Sequence, residues 1–236
     1  MKTASSKLIK SSILGMLLTF LSTAGAVPAS CLKPKPNECG FYRECLEEKY
    51  HCGDSGYPLA YGEKYCHRFN SLNESNLSPE GLKWRDATLV CLQEDLVGRL
   101  LSPSYVANCD QLKQVAYNSH PRCYTQKGNS ICDLRVDDWK TISKVVDKDD
   151  KYTNGGIKQI LQVAFTCGAD SYKKYRELIG QRNMVEAQLL YSAMNTSTGE
   201  EGITPMSEDP RLKAIDEEIR ETVKKINFIE RHGYNL

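Results

Sequence analysis

The chain has 236 residues, with 31 Lys or Arg residues against 30 Asp or Glu residues. This near balance, without a block of basic residues, excludes the electrostatic surface that nucleic-acid-binding proteins and polybasic lipid-binding segments require. In chain order, the first predicted element is a secretory signal over residues 1–26. It begins with three lysines, continues with a short apolar core over 13–21 and ends with small residues at 24–26.

Cleavage after residue 26 would remove three lysines and no acid, so the remaining chain would carry a net charge of −2. No later apolar run approaches the roughly 20 residues that a membrane-spanning helix needs. We therefore expect a secreted, extracellular chain without a membrane span.

The next region, residues 27–167, contains all the cysteines and is the predicted core module. They are Cys31, Cys39, Cys45, Cys52, Cys66, Cys91, Cys109, Cys123, Cys132 and Cys167. An even number of cysteines in an exported chain predicts five disulfide bonds. Zinc binding is the competing interpretation, but the chain has no C-x-x-C pair and no H-x₃₋₅-H pair. We expect neither a metal nor another cofactor.

The apolar spacing within this module predicts helices rather than strands. Apolar residues recur every three or four positions between Leu82 and Leu100, and the same period continues over 139–146 and 157–164. A serine followed by proline at 78–79 is typical of a helix N-terminus.

Two short segments of the module have the composition of turns, at 118–121 and at 155–156. Strict alternation of apolar and polar residues, which would indicate strands, is scarce. The predicted fold class is all-α, with a disulfide-stapled helical module followed by two C-terminal helices.

The C-terminal region is predicted as a helix over 168–194, a polar linker over 195–209, and an amphipathic helix and tail over 210–236. Asp209 is a predicted cap and Gly233 a predicted C-terminal glycine of the last helix. Its apolar seam consists of Leu212, Ile215, Ile219, Thr222, Ile226 and Ile229. The seam either packs on the chain's own domain or forms a noncovalent homodimer through residues 212–229.

Two Asn-x-Ser/Thr sequons predict glycosylation in an exported chain, at Asn73 and Asn195. A third sequon begins at Asn76, but Pro79 follows it directly and makes it the weaker candidate.

Two motifs resemble parts of hydrolase sites without completing them. The GDSG at 53–56 matches the nucleophile segment of trypsin-like proteases, but only His51 precedes its serine, so a tight glycine turn is the better interpretation. His67 lies among disulfide cysteines as in small secreted phospholipases, but Arg68 follows it where those enzymes carry Asp. His120 and His232 have no catalytic partner at a useful spacing, and the sequence predicts no enzyme.

The segment 150–161 partly matches a calcium-binding EF-hand loop. Tyr152 and Leu161 occupy its third and twelfth positions, where the loop needs a carboxylate or amide and then a bidentate Glu. A solvated acidic turn is therefore expected, although the acids at 147–150 could hold an ion weakly.

The cysteine framework and several landmarks beside it resemble the stanniocalcin family of extracellular glycoproteins. The motifs are CGFYRECLE at 39–47, YCHRF at 65–69, GLKW at 81–84, LVCL at 89–92, CY at 123–124, IC at 131–132 and ISKVV at 142–146. The resemblance covers about 137 residues and all ten cysteines. It implies the pairs Cys31–Cys45, Cys39–Cys66, Cys52–Cys109, Cys91–Cys123 and Cys132–Cys167.

The resemblance also implies a noncatalytic role. Stanniocalcins are secreted regulators of calcium and phosphate balance that act by binding other proteins, so an extracellular protein partner and hormone-like activity are expected. The family's dimer-forming cysteine has no counterpart after Cys167, and a covalent dimer is not expected. The alternatives are a secreted cysteine-rich effector that binds an extracellular protein, and a small phospholipase A2-like hydrolase.

Overall fold

The structure is a computed structural model that describes residues 27–101, 108–195 and 206–232. The predicted signal over 1–26, most of the linker and Gly233 lie outside the described residues. The α-helices of the described part are α1 (Ala29–Leu32), α2 (Glu48–Tyr50), α3 (Lys64–Asn70), α4 (Pro79–Leu101), α5 (Cys109–Tyr124), α6 (Val136–Val145), α7 (Lys148–Lys151), α8 (Asn154–Asn195) and α9 (Pro210–His232). The all-α prediction is confirmed.

Shorter elements complete the fold. Two π-helical segments, Phe41–Glu47 and Tyr57–Glu63, run directly into α2 and α3, and 3₁₀ turns cover Ile131–Asp133 and Met206–Glu208. Strands β1 (Thr125–Gln126) and β2 (Asn129–Ser130) pair antiparallel, with Thr125 opposite Ser130 and Gln126 opposite Asn129. No helix of the described residues combines the length and apolar character that crossing a bilayer demands.

Five disulfides staple the helical module, and the described residues contain no free cysteine. The bridges are Cys31–Cys45, Cys39–Cys66, Cys52–Cys109, Cys91–Cys123 and Cys132–Cys167. These are the pairs that the resemblance implies. In the same order, they join α1 to the first π-helical segment, the loop just before that segment to α3, and the loop before Tyr57 to α5. The last two join α4 to α5 and the first 3₁₀ turn to α8.

The helix starts at Ser78 and Asp209 follow the sequence prediction. Ser78 Oγ accepts a hydrogen bond from Gly81 N at 3.1 Å, and α4 begins at Pro79. Asp209 Oδ1 accepts one from Arg211 N at 2.8 Å, and α9 begins at Pro210. Each side chain satisfies a backbone donor that the first helical turn leaves free.

Both predicted turns are wrong, because the residues at 118–121 and 155–156 are helical. The first set lies in the last turns of α5, where buried Ser119 and His120 face the core and the Cys91–Cys123 bridge holds the helix to α4. The second set lies in the first turn of α8, where a Cβ on Gly155 would overlap the ring of Tyr117. This glycine lets α8 approach α5 closely, and no turn is formed.

The helix predicted over 168–194 is the C-terminal part of α8, which starts at Asn154. Helix α9 packs antiparallel along it: Arg182 Nε binds Asp216 Oδ1 at 2.7 Å, while Tyr172, earlier in α8, bonds to Glu230, later in α9. The apolar seam of α9 is used within the chain, since Leu212, Thr222, Ile226 and Ile229 are all buried. That packing agrees with a helix docked on its own domain and gives the homodimer no support.

Two main apolar clusters form the core. One surrounds the N-terminal disulfides and includes Leu46, Leu96 and Leu112, while the other lies beneath α6, α8 and α9 and includes Trp84 and Trp139. Tyr61 packs against both clusters, so the stapled module and the C-terminal helices share one continuous interior.

Candidate functional site

An open groove lies between the end of α5 and the first turns of α8. Its volume is about 640 Å³. We call it the α5–α8 groove and define it by Pro121, Arg122, Thr125, Asn154, Ile157, Lys158, Leu161, Gln162, Phe165 and Thr166.

The apolar floor of the groove comes from one row of α8. Ile157, Leu161 and Phe165 are spaced four residues apart, so their side chains lie on one face of the helix. Phe165 is 76% exposed and Leu161 is 42% exposed. Because large apolar side chains are seldom left in water in a row, this face has the character of a binding surface.

Disulfides fix both walls of the groove. Cys123 follows Arg122 in α5 and is bonded to Cys91 of α4, and Cys167 follows Thr166 in α8 and is bonded to Cys132. A ligand would therefore meet a preformed surface and would cost little ordering entropy on the protein side.

The charged residues of the groove are basic. Arg122 and Lys158 line it, and no carboxylate does so among the described residues. The Arg122 guanidinium contacts Asp95 of α4, whereas Lys158 is exposed and makes no ion pair within the ranges that the structure describes. The groove thus combines an apolar floor with a positively charged rim.

A buried aromatic cluster supports the groove from behind. His120, next to Pro121, is 2% exposed, and its ring lies 5.9 Å from that of Tyr61 and 5.6 Å from those of Tyr117 and Tyr124. Its Nδ1 is 2.6 Å from Oε1 of Gln159 in α8. An amide oxygen only accepts, so Nδ1–H donates this bond and ties α5 to α8.

The same burial governs the charge of His120. It lowers the pKa of the imidazole to about 4, against the weaker opposing effect of the Gln159 hydrogen bond. The ring is therefore neutral at physiological pH. It packs among Tyr61, Tyr117 and Tyr124, and its hydrogen bond to Gln159 joins α5 to α8.

The GDSG segment forms a tight turn, as the sequence interpretation has it. Gly53 has a φ of +73°, Gly56 N donates to Gly53 O at 2.9 Å, and a Cβ on Gly56 would overlap Cys52. Glycine is required at both positions for these reasons.

His67, the histidine of the phospholipase-like motif, lies on the exposed face of α3. Its neighbour Arg68 binds Asp147 Oδ1 at 2.7 Å. The described residues bring no carboxylate to His67 as a hydrogen-bond partner, and they place it outside the α5–α8 groove.

The acids at and just before the start of the EF-hand-like segment form ion pairs with Lys and Arg side chains of α3. Lys64 Nζ lies 2.7 Å from Asp147 Oδ2 and 3.1 Å from Asp150 Oδ2, and Tyr65 OH also donates to Asp150. Hydrogen bonds from Arg68 and Lys64 hold the pKa of Asp147 far below its usual value. Residues 148–151 form α7, residues 152–153 form a turn, and α8 begins at Asn154. The ion pairs of Asp147 and Asp150 connect α3 to the α6–α7 junction.

The two favoured sequons differ in what the structure describes. Asn73 is exposed between α3 and α4, and its Oδ1 accepts from Ser75 N at 2.9 Å. Asn195 is the last residue of α8, and its side chain and the rest of its sequon lie outside the described residues. At the weaker sequon, Ser78 is buried against Asp138.

The α5–α8 groove was not predicted from the sequence. The available signal was the width of the apolar arc on α8, which carries Ile157, Leu161 and Phe165 in addition to the row of Ile160, Ala164 and Cys167. Half-buried Ala164 and buried Cys167 belong to the core, so the first row is in excess of what the core needs.

No family model, curated protein or solved structure matches this chain.

Proposed function

We propose that the chain is a secreted, noncatalytic binding or signalling glycoprotein, similar to the stanniocalcins, with a hormone-like effect on calcium or phosphate balance. The observation that carries the proposal is the α5–α8 groove: exposed Phe165 and Leu161 form its apolar floor, and disulfides hold α5 and α8 in place. Such a surface suits recognition of another protein.

The disulfide framework supports an extracellular site of action. Ten cysteines in five bridges persist in oxidising compartments and not in the reducing cytosol. The coincidence between these bridges and the pairing implied by the stanniocalcin resemblance supports the proposed kinship.

The test uses the full chain, produced in a eukaryotic secretory line and purified from the medium with its disulfides intact. Calcium and phosphate uptake across an epithelial monolayer is measured with the wild type and with Phe165→Asp. We expect the wild type to change uptake of at least one ion and the variant to lose that effect. Absence of any change in uptake, together with absence of saturable binding to the cell surface, would contradict the proposal.

Retention of the chain inside the producing cells would contradict it as well. Saturable binding without a change in ion uptake would support an extracellular binding protein but remove the role in ion balance. Met184→Asp is the matched control, because Met184 is 61% exposed on the same helix outside the groove. It should behave as the wild type does.

A further inference from the structure

The geometry points to an acidic amphipathic helix of a partner protein as the occupant of the α5–α8 groove. This inference rests on the proposed function, because it assigns a partner chemistry to the same surface. Three observations support it: the row of apolar side chains on the floor, the positive charge of the rim, and the shortness of the strands in the neighbouring sheet.

The apolar side chains of the groove floor form a raised row along α8, and such a row can pack against a second helix. Ile157, Leu161 and Phe165 lie along one i, i+4 row of α8, and the end of α5 at Pro121 forms the opposite wall. Helices pack by placing such a ridge into the groove between side-chain rows of a neighbour. A helix with apolar residues at i, i+3 or i+4, and i+7 presents the complementary surface.

An extended peptide fits less well. It would bind by adding a strand to a free sheet edge, and the sheet of the described residues has strands of two residues each, Thr125–Gln126 and Asn129–Ser130. That edge offers too few backbone hydrogen bonds to hold a strand.

The rim charges determine the chemistry of the partner. Lys158 lies on the α8 side, exposed and without an ion pair in the described part of the chain, and Arg122 lies on the α5 side. Asp95 of α4 already contacts Arg122, so Lys158 is the rim charge that remains for a partner among the described residues. Carboxylates flanking the apolar stripe of a bound helix would pair with this rim, whereas a basic helix would be repelled.

The same charges argue against a second copy that inserts its C-terminal helix. Helix α9 has lysines or arginines at 211, 213, 220, 224, 225 and 231 among its acids. Its own apolar seam is already covered by α8, so it has no free stripe to insert into the groove. Dimerisation is nevertheless measured as an outcome of the test.

The experiment selects ligands from a phage-displayed library of amphipathic helical peptides whose flanking positions are randomised. The bait is the disulfide-intact full chain, and Phe165→Asp serves for counter-selection. We expect enriched peptides to carry Asp or Glu beside the apolar stripe. Enrichment of uncharged or basic flanks, or no enrichment over the variant, would overturn the inference.

Affinities of the selected peptides are then measured by fluorescence anisotropy. We expect Phe165→Asp to weaken binding at least ~10-fold, as loss of a central aromatic anchor does. Lys158→Glu should weaken it by roughly 3- to 10-fold at low salt, with a smaller effect at high salt. Met184→Asp should leave binding unchanged, and circular dichroism should show all three variants folded.

A charge exchange provides the sharpest readout. A peptide in which one flanking acid is replaced by Lys should bind Lys158→Glu more tightly than it binds the wild type. Failure of this rescue at every flanking position would contradict a direct role for Lys158.

Three results separate this inference from the proposed function and from other occupants. If the native cell-surface binding is equal for the wild type and Phe165→Asp, the groove is not the site, although the proposed function stands. If truncation after His232 raises peptide affinity more than 10-fold, or if the wild type dimerises by sedimentation and Phe165→Asp does not, the groove is occupied by this chain itself. Each of these three results would overturn the inference that a partner helix occupies the groove.

Discussion

Ser78 gives both its backbone amide and its hydroxyl to the carboxylate of Asp138, at 2.8 Å and 2.7 Å. Ser78 caps α4 and Asp138 lies in the first turn of α6, so one buried carboxylate joins the starts of two helices. The two residues are 60 positions apart in sequence. Ser78 Oγ also accepts from Gly81 N. The capping serine is therefore itself held in place by the second helix.

Replacing Asp138 with Ala should destabilise the fold strongly. The change leaves two buried donors of Ser78 without an acceptor, and we expect the free energy of unfolding to fall by about 2–4 kcal/mol. Urea unfolding with the disulfides intact measures it. Asp137→Ala is the control, because the Asp137 side chain is 87% exposed and should cost less than about 0.5 kcal/mol. Equal losses in the two variants would show that the Ser78–Asp138 bonds contribute little.

Stability should depend on pH through His120. Burial lowers the folded-state pKa of this imidazole to about 4, below its ordinary value, so the unfolded chain takes up the proton first as pH falls. The free energy of unfolding should therefore be highest above about pH 6.5, decline by about 3 kcal/mol towards pH 4 and then level off with respect to this group. His120→Phe should flatten the decline in urea titrations over this range. A slope unchanged in that variant would assign the pH dependence to other residues.

Local signals in the sequence were sufficient to predict some elements. The pairs Ser78–Pro79 and Asp209–Pro210 mark the starts of α4 and α9, because capping depends on residues within one helical turn. The apolar period predicted the body of these helices for the same reason.

Other elements depend on tertiary contacts that no local signal reports. Proline and glycine are typical of turns between elements, yet Pro121 lies near the C-terminal end of helix α5 and Gly155 near the N-terminal end of helix α8. The Cys91–Cys123 bridge and the packing of Tyr117 on Gly155 override those local preferences. Periodicity also could not tell which apolar row of α8 stays exposed, since that depends on where α5 and α9 pack against it.

Two glycines of α8 should respond oppositely to alanine. A Cβ on Gly155 would overlap the Tyr117 ring, so Gly155→Ala should destabilise by about 1–3 kcal/mol. A Cβ on Gly180 meets nothing within 4 Å, so Gly180→Ala should stabilise by up to ~1 kcal/mol through helix propensity. Thermal unfolding of the two variants beside the wild type tests this pair. Stabilisation by Gly155→Ala would contradict the close approach of α8 to α5.

Disulfide mapping tests the scaffold directly. Digestion of the full chain without reductant should release five linked peptide pairs with the five disulfides described above. A thiol reagent should find no free cysteine in the denatured, unreduced chain. Free thiols, bound zinc or a different pairing would refute the arrangement that fixes the groove walls.

Lys225 should anchor α9 to the stapled module. Its ammonium donates to the carbonyl oxygens of Cys132 and Asp133 at 3.0 Å and 3.1 Å and lies 5.9 Å from the Trp139 ring, while burial lowers its pKa. Lys225→Met keeps the aliphatic stem and removes these bonds, so we expect a loss of about 1–2 kcal/mol in the free energy of unfolding.

The adjacent Lys224 provides the matched control for this anchor. It is exposed and pairs with Glu221 one turn away on the same helix, so Lys224→Met should change stability by less than about 0.5 kcal/mol. Hydrogen exchange adds a local readout: amides of α9 should exchange faster in Lys225→Met than in Lys224→Met. Since Cys132 is bonded to Cys167 of α8, the anchor and the disulfide hold α8 and α9 to the same turn. Equal exchange in the two variants would mean that the apolar seam alone holds α9 in place.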